Sequence, residues 1–70
     1  MKNEDKETNP NHHAQKIQGL LTELIDHVRQ DVGKVREPKF QALLETSAEV
    51  LSGLRTAYEH YEKKSEAAFA

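Results

Sequence analysis

Seventy residues without a cysteine leave room for one small domain stabilised by packing alone, and they exclude disulfide staples, thiol catalysis and cysteine-ligated zinc. Twelve acidic against ten basic residues give a net charge of -2, far from the basic excess of a protein gripped mainly by phosphate backbones, so nucleic acid is a disfavoured partner. Charged residues at 31% against 36% hydrophobic make a polar chain that can still build a small helical core.

The first eleven residues carry no aliphatic side chain after Met1, and five of them are charged. Such a segment cannot bury enough surface to offset its ordering entropy, so residues 1–9 are expected to form a disordered tail. They also lead into no apolar run, so no secretory leader is expected and a cytoplasmic location is the default. No stretch approaches the roughly 18 apolar residues of a membrane span.

Asn9-Pro10 then marks a helix start, with asparagine as N-cap and proline at the first helical position. Ile17, Leu20, Leu21, Leu24, Ile25, Val28, Val32 and Val35 follow at helical spacing within an arc of roughly 140°. Gln18, Thr22, Asp26, Arg29 and Gln30 fall on the other side, as a solvated face requires. Gly33 is a candidate stop, but Val35 stays in phase, so the first helix is predicted over about 10–35. Glu37-Pro38 is the second punctuation mark. The second helix is predicted over about 38–65, with Phe40, Leu43, Leu44, Val50, Leu51, Leu54, Tyr58 and Tyr61 on one side, joined by Ser47 and Ala57. Residues 67–70 are expected to fray.

A short connection makes the two helices antiparallel neighbours, giving an all-α helical hairpin over 10–66. Two helices side by side cannot cover stripes this wide, so a second copy is expected to complete a four-helix bundle as a homodimer. Leu21, Leu24, Val28, Leu44, Leu51, Leu54 and Tyr58 are the expected core and dimer residues.

Chemistry-bearing patterns are weak. His12, His13, His27 and His60 lack the Glu-x-x-His and His-Glu-x-x-His spacings of helical metal sites, so no metal or other cofactor is expected. Glu23, His27 and Asp31 lie at four-residue steps along one helix edge, a pattern that ordinarily means solvated neighbours. Asp31 and Ser47 project onto or beside the apolar arcs, and Asp31 is expected either to pair with Arg55 or to sit in water near the loop. No nucleophile elbow and no glycine-rich phosphate loop is present, so there are no candidate catalytic residues. Lys34, Arg36 and Lys39 form a small basic patch at the turn that could touch phosphate or an acidic protein surface.

Residues 38–54, which read Pro-Lys-Phe-Gln-Ala-Leu-Leu-Glu-Thr-Ser-Ala-Glu-Val-Leu-Ser-Gly-Leu, continue through Ala57-Tyr58-Glu59-His60-Tyr61-Glu62. This half of the chain resembles a family of short uncharacterised bacterial helical-hairpin proteins, which implies a small helical fold and no assigned activity. In layout the chain is also similar to Rop-type RNA-binding hairpins. Those place basic and aromatic residues on one outer face, whereas here the aromatics fall on the apolar stripes. A class of phosphatase hairpins shares the length, but its Ser-Gln-Glu-Leu-Asp motif is absent. The sequence thus points to a non-enzymatic interaction module with an unknown protein partner. A nucleic-acid-binding regulator and a metal-binding bundle are the alternatives.

Overall fold

A computed structural model describes residues 8–69, with side chains through residue 64. Two helices, α1 (Pro10–Val32) and α2 (Pro38–Phe69), pack against each other as an all-α hairpin. Most of the expected disordered tail, residues 1–7, lies outside the described residues.

The start of α1 follows from its first residues. Asn9 is extended, and its side-chain oxygen accepts the backbone N–H of Asn11 at 2.9 Å. Pro10 follows as the first helical residue, where a missing N–H costs nothing. The end of α1 comes earlier than the predicted 35, at Val32. Gly33 has right-handed backbone angles (φ -74°), and the N–H groups of Gly33, Lys34 and Val35 fold back onto the carbonyls of Gln30 and Asp31. Pro38 disfavours helix at residue 37 and fixes where α2 begins. Val35 nonetheless keeps its apolar role, because its side chain packs from the connection onto the cluster of Val28, Leu44 and Ala48.

The connection is held by a side chain of α2. The Gln41 amide donates to the carbonyls of Val32 (3.2 Å) and Val35 (2.6 Å), supplying partners that the terminal carbonyls of α1 would otherwise lack. Removing it in Gln41→Ala should lower the unfolding free energy by about 1–2 kcal/mol, measured by urea denaturation. The smaller effect of an ordinary exposed helix substitution would show that water replaces the amide.

At its other end α2 runs to Phe69, through residues expected to fray. Beyond Ser65 the sequence is Glu-Ala-Ala-Phe-Ala, with no glycine or proline to stop a helix.

Among the described residues Ala14, Leu21, Ile25, Val28, Leu44 and Ala48 are buried, and of these Ile25 is the large side chain that is essentially inaccessible. The two alanines let the helix axes approach. Gly19 lies on an open helix surface with nothing within 4 Å of where a Cβ would stand. Gly19→Ala should therefore raise stability by about 0.5–1 kcal/mol, seen as a higher thermal midpoint. An unchanged or lower midpoint would mean that this surface is covered.

Candidate functional site

The two long sides of the hairpin differ in chemistry. At about 100° per residue, Leu20 and Leu24 fall to one side of the buried row of α1, and Gln18, Thr22 and Arg29 fall to the other. On the polar side the helices are bridged by hydrogen bonds. Gln15 donates to Glu62 at 3.2 Å, Gln18 also donates to Glu62, and Arg55 donates to the Thr22 hydroxyl at 3.1 Å. Nearer the turn the same side forms a shallow groove lined by Arg29, Val32, Glu45, Ala48 and Glu49.

The other side is apolar. Leu20, Leu24, Leu43, Val50, Leu54 and Tyr61 are each between 46% and 64% exposed, although all are large hydrophobic side chains. Two grooves run along it between the helices. One, of about 490 Å³ at the open end of the hairpin, is lined by apolar and aromatic residues, among them Ala14, Ile17, Leu54, Tyr58 and Tyr61, together with His13. The second, of about 410 Å³ nearer the turn, is walled by Leu24, Val28, Thr46, Ser47, Val50 and Leu51. The Ser47 hydroxyl donates back to the carbonyl of Leu43 at 2.8 Å, which lets this polar residue sit on the surface without an unpaired group.

The residues expected to form the core divide between these surroundings. Leu21, Val28 and Leu44 are buried, Leu51 and Tyr58 are half-buried, and Leu24 and Leu54 lie largely open on the apolar side. Ala14, Ile25 and Ala48 complete the buried set. Gln18 and Thr22 are not simply solvated, since both bond across the helix interface.

Asp31 does not pair with Arg55. Antiparallel packing puts Arg55 level with Thr22, whereas Asp31 stands near the turn and meets His27 at 3.2 Å one helical turn away. Glu23 is exposed and adds nothing to that pair, and among the described residues no three of His, Asp and Glu gather closely enough to hold an ion. The His12 and His13 rings meet edge to face at 5.8 Å in the first turn of α1. Lys34, Arg36 and Lys39 are exposed at the turn end, with Glu37 among them.

Sequence periodicity finds the apolar residues but not which of them stay open. The signal that could have found them is the position of each residue within its arc: the residues at one margin of both stripes are the ones left uncovered. No helix among the described residues is long and apolar enough to cross a membrane. No protein family model, curated protein or solved structure matches the chain.

Proposed function

We propose that the protein is a non-enzymatic interaction module whose hairpin pairs with a second copy through its apolar side, forming a four-helix bundle, and offers the polar side to a protein partner. The observation that carries this reading is the one-sided exposure of Leu20, Leu24, Leu43, Val50, Leu54 and Tyr61. A contiguous apolar surface of this kind is a docking surface on a small protein, because water contact with it is unfavourable and a partner removes it.

A second copy is the occupant that best fits. The hairpin is a slab of 49 × 24 × 12 Å, one helix layer thick, so each broad side exceeds the ~800 Å² that each partner gives up in a standard interface. Stacking two such slabs supplies the second layer that a helical domain needs around a core. Twofold dimers are also the commonest assembly, and they require no complementary sequence elsewhere. The polar side, with Arg29, Glu45 and Glu49, then remains outermost and is where another protein would bind.

Sedimentation equilibrium of the purified chain tests the pairing. The expected mass is that of two chains at micromolar concentration, with loss of helicity accompanying dissociation on dilution. A single-chain mass at tens of micromolar with helicity intact would remove the reading.

A further inference from the structure

We draw no further inference here: the strongest candidate, the groove at the open end of the hairpin lined by Ile17, Leu54, Tyr58 and Tyr61, belongs to the apolar side already described, and nothing in the structure shows which group fills it.

Discussion

Truncation of Ile25 to alanine is expected to lower the unfolding free energy by about 2–5 kcal/mol. Ile25 is 1% exposed and sits at the middle of α1 between Leu21 and Val28, so the removed methyl and methylene groups leave a hollow that the two rigid helices cannot close. Small domains of this size seldom hold more than about 5 kcal/mol in total, so the variant should be largely unfolded at room temperature. The measurement is far-ultraviolet circular dichroism through a thermal scan. Ile25→Val, which removes one methylene, should lower the free energy by only about 0.5–1.5 kcal/mol and keep a cooperative transition. Equal effects for the two substitutions would mean that Ile25 is not the packed centre of the hairpin.

Val50→Glu should act on assembly rather than on the single hairpin. Because Val50 is largely exposed within one copy, a charge there would ordinarily alter stability by no more than about 0.5 kcal/mol. In the proposed pair it lies within the covered apolar side, where a carboxylate would be stripped of water without a partner. We therefore expect at least a hundredfold weaker association, read as a shift from a two-chain to a one-chain mass by sedimentation. Glu substituted for Thr56, an exposed polar residue of the same helix, should leave the mass unchanged. Both helices would lose part of their helicity along with the dimer if the second copy supplies stability that one hairpin lacks. A two-chain mass for Val50→Glu would place the contact elsewhere.

The fold was legible where the signals are local. Asn9-Pro10 and Glu37-Pro38 announce both helix starts, because capping and proline sterics act within a few residues and need no tertiary context. Helix ends were harder to place. Val35 continues the apolar phase of α1, and periodicity cannot distinguish a helical residue from a loop residue folded onto the same core. The end of α2 has no stop residue at all, so nothing in 65–69 announced its extension to Phe69. Ala14 and Ala48 carried little weight in a hydrophobic pattern although their small size is what lets the helices touch.

Polar pairing across the helices was the least legible part. Gln18 and Thr22 look like surface residues in a list of spacings, and only the register of the two helices brings them to Glu62 and Arg55. That same register separates Asp31 from Arg55. The apolar side, in contrast, is half-visible in the sequence: the stripes are too wide to cover each other, but which margin stays open depends on how each helix is rotated in the packed pair.

The bond from Gln41 to the last carbonyls of α1 also bears on how the chain finds its structure. Its amide becomes available at the site only once the opening turn of α2 has coiled, so the closed end of the hairpin couples the exit of one helix to the entry of the next. Contacts there, such as Val28 with Leu44, span fewer than twenty residues and require the least loop entropy to form. Folding is thus biased to begin at the bend and zip outward, leaving the hollow at the far end to take shape last.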